Sequence, residues 1–257
     1  MVEPTRSRLR PIPMTRVLIV PVLALVLLLT GCGSGESSSS ADKDDNKDAV
    51  STASVGGCPV DSPAVTDARP IAKADLDGDG RADVAKLTAA GGDCSSFVFA
   101  RLSEALVTTQ LPAGATPLSA AFGVEVPGRK GALLATRHDH PRGGFQLRLY
   151  AADGGELVEL KTRGRSLVPF IALDVQEHPL SIDCVPGGVE VTEAVAHEPA
   201  GVASAWDVRR TSYAVEGAEV TKGESSEIAD NVMPAELEAE YPELVRHTLF
   251  ESCRSDD

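Results

Sequence analysis

Aromatic residues are scarce in this chain, and basic residues are outnumbered by acidic ones. Phe, Trp and Tyr together make up 4% of the 257 residues, and 24 Lys and Arg stand against 38 Asp and Glu. The resulting formal net charge of −14 counts against a nucleic-acid partner, because phosphate binding needs a basic face. It also counts against electrostatic docking on anionic lipid.

The motifs of common catalytic sites are absent from the sequence as well. There is no Cys-x-x-Cys for zinc, no Gly-x-Ser-x-Gly for a serine hydrolase and no Gly-rich phosphate loop. His197-Glu198 lacks the second His of a metalloprotease helix. We therefore expect a non-enzymatic binding or envelope protein. The alternative is an exported hydrolase, or a solute- or polysaccharide-binding protein, whose site has no recognisable motif.

Long apolar runs are limited to one, Val17–Leu29. A helix of these 13 residues spans about 20 Å, too little for a hydrocarbon core of about 30 Å. Four Arg and a single acid precede the run, which is the pattern of a secretory signal. Translation could start at Met1 or at Met14, which directly precedes a shorter version of the same signal.

The run ends in Leu29-Thr30-Gly31-Cys32, which resembles the lipobox of bacterial lipoproteins. The resemblance implies cleavage after residue 31, acylation of Cys32 and a lipid anchor on the extracytoplasmic face of the cell membrane. An ordinary secretory signal with a chance Cys is the alternative. Residues 32–56 are small and acidic and predict a flexible tether with a mean reach of about 27 Å. The signal peptide would then be 1–31, and the folded domain 57–257.

Four cysteines remain beyond the anchor: Cys58, Cys94, Cys184 and Cys253. In an exported chain they predict two disulfides, for which three connectivities are possible. The sequence cannot choose among them. We favour Cys58–Cys94, which would fasten the start of the domain, and Cys184–Cys253, which would pin the C-terminal segment to a late strand.

Short apolar or alternating runs, separated by Gly, Pro and Asp, dominate residues 57–257 and predict a mainly β fold. We expect an antiparallel meander, arranged as a partial propeller or a sandwich. Tight hairpin turns are predicted at Asp153-Gly-Gly155 and Glu216-Gly217. Helix formers after Pro234 predict a short C-terminal helix, whose apolar face would carry Leu237, Tyr241, Leu244 and Val245. The predicted strands are Arg69–Ala74, Asp83–Thr88, Ser96–Leu102, Leu106–Leu111, Leu118–Val126, Ala132–Thr136, Phe145–Tyr150, Leu157–Lys161, Leu167–Leu173, Gly188–Val195, Ala203–Val215 and Ala218–Lys222.

One segment has the residue types of a metal site. Carboxylates alternate along Asp75-Leu-Asp77-Gly-Asp79-Gly-Arg81-Ala-Asp83. Calcium takes six to eight oxygen ligands, and alternate carboxylates on a curled loop can converge on one ion. We expect Asp75, Asp77, Asp79 and Asp83 to bind calcium with their side chains and Arg81 with its carbonyl oxygen. An acidic surface turn is the alternative.

This loop resembles the Asp-x-Asp-Gly-Asp-Gly-x-x-Asp loop of FG-GAP/VCBS repeats. It is not an EF-hand, because Lys86 stands where that loop has Glu and the flanking segments are predicted strands. The resemblance covers about 20 residues and implies a weakly bound, structural calcium ion that orders the turn between two strands.

A second metal candidate is His138-Asp139-His140, since side chains two residues apart share a face of an extended strand. No third ligand is evident, so we favour a solvated loop here. Trp206 is expected to fill core or edge space rather than to stack on a sugar.

Overall fold

The computed structural model describes residues 54–90, 94–111, 117–171, 178–197 and 204–255. The predicted signal peptide, Cys32 and residues 33–53 of the predicted tether lie outside these ranges. So do Glu198 and Pro199 and the ends of two predicted strands, residues 172–173 and 203. No described helix has the length and apolarity to cross a bilayer.

The described chain forms short strands and three brief helices. The helices are α1 Pro63–Thr66, α2 Pro234–Glu240 and α3 Pro242–Val245. The strands are β1 Ser54–Val55, β2 Cys58–Pro59, β3 Arg69–Ala74, β4 Asp83–Leu87, β5 Phe97–Arg101, β6 Leu106–Gln110, β7 Leu118–Val124, β8 Leu133–Asp139, β9 Phe145–Asp153, β10 Glu156–Glu159, β11 Lys161–Thr162, β12 Arg165–Ser166, β13 Phe170–Ile171, β14 Leu180–Val185, β15 Gly188–Ala196, β16 Trp206–Glu216, β17 Glu219–Val232 and β18 Arg254–Ser255.

The larger sheet curls until it is nearly a closed barrel. Its strand order is β18-β7-β8-β9-β10-β6-β5-β4-β3, with β13 paired to β9, and β3 packs beside β7. All its pairs are antiparallel except β10 with β6, which meet in parallel at Glu156 and Thr108. The fold is thus mainly β with a short C-terminal helix, as predicted. The closure and the parallel pair are features that the hairpin pattern did not indicate.

A second sheet, β14-β15-β16-β17, packs against the outside of this barrel. Successive side chains of β8 and β9 point alternately into the barrel and toward the second sheet. Leu134 and Tyr150 point into the barrel, whereas Leu133 and Leu149 join Val191 of the second sheet in the largest core. This two-faced burial explains why consecutive residues of β8, from Leu133 to Ala135, are all buried and apolar.

Both favoured disulfides are present, Cys58–Cys94 and Cys184–Cys253. The second holds the C-terminal segment against β14, where the backbone amides of Ile182 and Phe250 complete hydrogen bonds across the contact.

The C-terminal helices dock on β15 and β16 through Leu237 and Leu244, which pack in one cluster with Trp206. Trp206 is therefore a core residue, as expected. Val245 does not share this face, because α2 ends at Glu240 and the new turn at Pro242 leaves Val245 38% exposed.

Candidate functional site

The acidic loop joins β3 to β4 at one end of the barrel. Its first carboxylate, Asp75, organises the turn by accepting backbone amide hydrogen bonds from Gly78 (2.8 Å), Asp79 (3.0 Å) and Gly80 (2.9 Å). The two glycines have φ values of +72° and +85°, a region that other residues rarely adopt. The Asp-Gly alternation therefore curls the backbone around the Asp75 side chain.

Asp83 closes the loop from the first position of β4. Its side chain is buried, and Oδ2 accepts the backbone amide hydrogen of Leu76 at 2.9 Å. Burial raises the pKa of Asp83, and the nearby charges of Asp77, Asp79 and Asp75 raise it further. An anionic Asp83 is thus disfavoured by its surroundings in the absence of a cation.

Asp77 is held from a distant part of the chain. Its Oδ2 accepts hydrogen bonds from the Ser103 hydroxyl (2.6 Å) and the Ser103 backbone amide (3.1 Å), in the turn between β5 and β6. These bonds, led by the hydroxyl, lower the pKa of Asp77, and the charge of Lys130 contributes in the same direction. No sequence motif indicates Ser103, because the barrel brings this residue to the loop from 26 residues away.

Three of the predicted side-chain ligands converge. One carboxylate oxygen from each of Asp75, Asp77 and Asp83 lies within 4.8 Å of the others, and no other such acidic, His or Cys group occurs among the described residues. Asp79 stands apart from this group, and its Oδ1 instead accepts the Arg81 backbone amide at 2.7 Å. The part that Asp79 and the Arg81 carbonyl take in binding an ion stays a prediction.

The loop rests on the turn between β7 and β8. The Ala132 amide donates to the Asp75 carbonyl at 2.6 Å, and a Cβ on Gly78 would lie 2.7 Å from the backbone nitrogen of Gly131. A cavity of about 540 Å³ adjoins Asp77 between this turn and two other hairpin turns. Arg129 at its rim donates to the carbonyl oxygens of Lys130, Gly131 and Gly217, and burial lowers its pKa.

The second metal candidate is not assembled. His138 is a buried residue of β8 that shares a hydrogen bond with Thr136, so its expected place in a solvated loop is wrong. Asp139 pairs with Arg137, and exposed His140 meets the edge of the Phe170 ring. The side chains of His138 and His140 therefore have different surroundings, one buried and one exposed. His197, in turn, pairs with Asp207, and this pair lowers the pKa of Asp207.

Comparison with known protein families, curated protein sequences and solved structures finds no match to this chain.

Proposed function

We propose that this protein is a lipid-anchored, extracytoplasmic, non-enzymatic binding protein whose Asp75–Asp83 loop binds calcium as a structural ion. Calcium binding is supported by the convergence of the Asp75, Asp77 and Asp83 carboxylates, whose oxygens lie within 4.8 Å of one another. Three anionic oxygens at that separation repel one another, and a divalent cation between them turns repulsion into attraction.

The hydrogen bonds of the loop are compatible with an ion. A carboxylate oxygen has two lone pairs. Asp75 Oδ1 accepts two amide hydrogens, but Oδ2 accepts only that of Gly80 and can still bind a cation. Three carboxylates supply fewer oxygens than calcium needs, and backbone carbonyls and water would complete the coordination. The role is structural because the loop connects β3 to β4 and touches both the β5–β6 and β7–β8 turns.

Thermal unfolding with calcium or with a chelator tests the proposal. For a Kd of about 3 × 10⁻⁴ M, about 10 mM calcium adds about 2 kcal/mol to the free energy of unfolding. The melting temperature then rises by about 4–8 °C. Magnesium should stabilise less, since it demands a more regular octahedral site.

Two variants make the test specific. Asp77→Asn removes one converging charge and should abolish most of the calcium-dependent rise, whereas Asp61→Asn, in an exposed turn outside the loop, should retain it. Asp75 is a poor choice because its carboxylate also holds three backbone amides. No calcium-dependent rise in the unmodified protein, together with no heat in calorimetry, would refute the calcium site.

A further inference from the structure

A groove runs along one face of the second sheet, beside the β11–β12 hairpin. It consists of two adjoining cavities of about 540 and 370 Å³, which share Glu193, Thr211 and Lys222 as a common wall. The hairpin contributes Thr162, Arg163, Arg165 and Ser166, and β11 packs beside β17. No residue of the groove belongs to the acidic loop.

The strand register places polar side chains in rows across this face. Tyr213 of β16 lies opposite Lys222 of β17, Thr211 lies opposite Ser225, and Arg209 lies between Glu193 and Glu227. Residues 209, 211 and 213 are two apart on β16, so all three rows face the same side of the sheet.

An irregularity in β17 is needed for this arrangement. Lys222 and Ser225 are three residues apart and would face opposite sides of a regular strand. The register shift between Thr211 and Tyr213 inserts one extra residue and turns both toward the groove. A Cβ on Gly223 would lie too close to the Ser212 hydroxyl oxygen, which would have to rotate away.

The groove is basic in an acidic protein. Four cations line it (Arg163, Arg165, Arg209 and Lys222) against two acids, Glu193 and Glu227. Arg209 pairs with Asp207, but in the described part of the chain no ion pair engages Arg163, Arg165 or Lys222. All three are exposed, and Arg163 has a φ of +52° at the tip of the hairpin, where Asn or Gly is usual.

We propose that this groove binds an anionic saccharide, a short chain of sugars that carry acidic groups. The exposed cations would pair with the acidic groups, and the ring of half-buried Tyr213 offers an apolar surface for a sugar face. Hydroxyls of Thr162 and Ser225 would exchange hydrogen bonds with sugar hydroxyls.

Glu193 favours a sugar over a simple polyanion. Its side chain is about one third exposed and lines the groove. The carboxylate also accepts a hydrogen bond from His178 Nε2 at 3.0 Å. A carboxylate there repels polyphosphate or an acidic peptide but accepts hydrogen bonds from neutral hydroxyls. The proposal gives a ligand class to the binding role proposed above and rests on that role, but not on the calcium loop.

Calorimetry with hexagalacturonate and neutral maltohexaose tests the proposal. The full chain is used in a sugar-free, non-ionic detergent at low ionic strength, with a chelator present so that calcium contributes nothing. We expect at least tenfold tighter binding of hexagalacturonate than of maltohexaose, and weaker binding as salt screens the charges.

Two double variants locate the site. Arg165→Gln/Lys222→Gln should weaken hexagalacturonate binding about tenfold, whereas Arg101→Gln/Arg142→Gln, with the same change in net charge outside the groove, should leave it unchanged. All four side chains are exposed, so both variants should melt at the temperature of the unmodified protein. Equal affinity for the two hexasaccharides, equally tight binding of oligoglutamate, or equal losses in both variants would overturn the proposal. A failed calcium titration would not affect these results.

Discussion

In the second sheet, the pKa of Glu193 depends on its neighbours, and this dependence should make the stability of the fold vary with pH. The hydrogen bond from His178 is the main reason why the pKa of Glu193 lies below its ordinary value of 4.5, with the charges of His178, Arg209 and Lys222 acting in the same direction. A depressed carboxyl pKa means that the unfolded chain binds protons more readily than the folded one. Glu193 therefore stabilises the fold above pH 4.5, and this contribution is lost as the pH falls through its lower folded value.

We predict that in Glu193→Gln the free energy of unfolding falls less steeply as the pH drops below 4.5. At neutral pH the variant should be less stable than the unmodified protein, and the difference should shrink as the pH drops below 4.5. Urea unfolding at a series of pH values measures it. His178→Ala should give the same convergence, since it removes the principal cause of the shift. Parallel profiles for all three proteins would contradict the prediction.

At the scale of elements, local patterns predicted most strands but not how they are joined. β3 was predicted at its observed bounds. The hairpin turns at residues 153–155 and 216–217 were also predicted, and their glycines have positive φ values. β14 was not predicted. It lies between two prolines, and it is fixed by hydrogen bonds to β15 and to the C-terminal residues around Leu249, which no local pattern indicates. The helix α1 was missed for a related reason, since it is a single turn that buries no side chain.

The contact between the acidic loop and the β7–β8 turn allows a matched pair of glycine variants. Gly131 and Gly128 have φ values of +73° and +80°, so alanine at either position is strained by about 1 kcal/mol. A Cβ on Gly131 would lie 2.5 Å from the Leu76 carbonyl oxygen, whereas the nearest atom to a Cβ on Gly128 is 3.9 Å away.

We predict that Gly131→Ala lowers the free energy of unfolding by about 3 kcal/mol and Gly128→Ala by only about 1 kcal/mol. The difference arises because the loop backbone cannot move away from a new Cβ as a flexible side chain would. Urea denaturation of both variants measures it, and equal losses would show that the loop does not rest on this turn. Gly131→Ala should also reduce the calcium-dependent rise in melting temperature, because it displaces Leu76 next to the converging carboxylates.

At the scale of the whole molecule, strand pairing between distant segments brings together residues whose proximity the sequence does not indicate. The sequence identified Asp75, Asp77 and Asp83 because their spacing is local, but Ser103 reaches Asp77 only through the barrel. The basic groove has no linear signature at all, since Arg165, Glu193 and Lys222 come from three separate segments. Overall charge was even misleading there, because a net −14 conceals a groove with more cations than acids.

The proposed lipid anchor would hold both candidate sites near the membrane, and it rests on one side chain, Cys32. In the proposed lipoprotein, the apolar run Val17–Leu29 leaves with the signal peptide, so attachment to the membrane would then require the lipid on Cys32. We predict that Cys32→Ala abolishes uptake of labelled fatty acid and moves the protein from the membrane to the soluble fraction.

The double variant Cys58→Ala/Cys94→Ala should keep the label, because it removes a disulfide of the folded domain and leaves the acylated cysteine. Label on Cys32→Ala would show that the segment is an ordinary secretory signal with a chance cysteine and that any acylation lies elsewhere. The groove would then meet its saccharide free in solution rather than within a tether's reach of about 27 Å from the membrane.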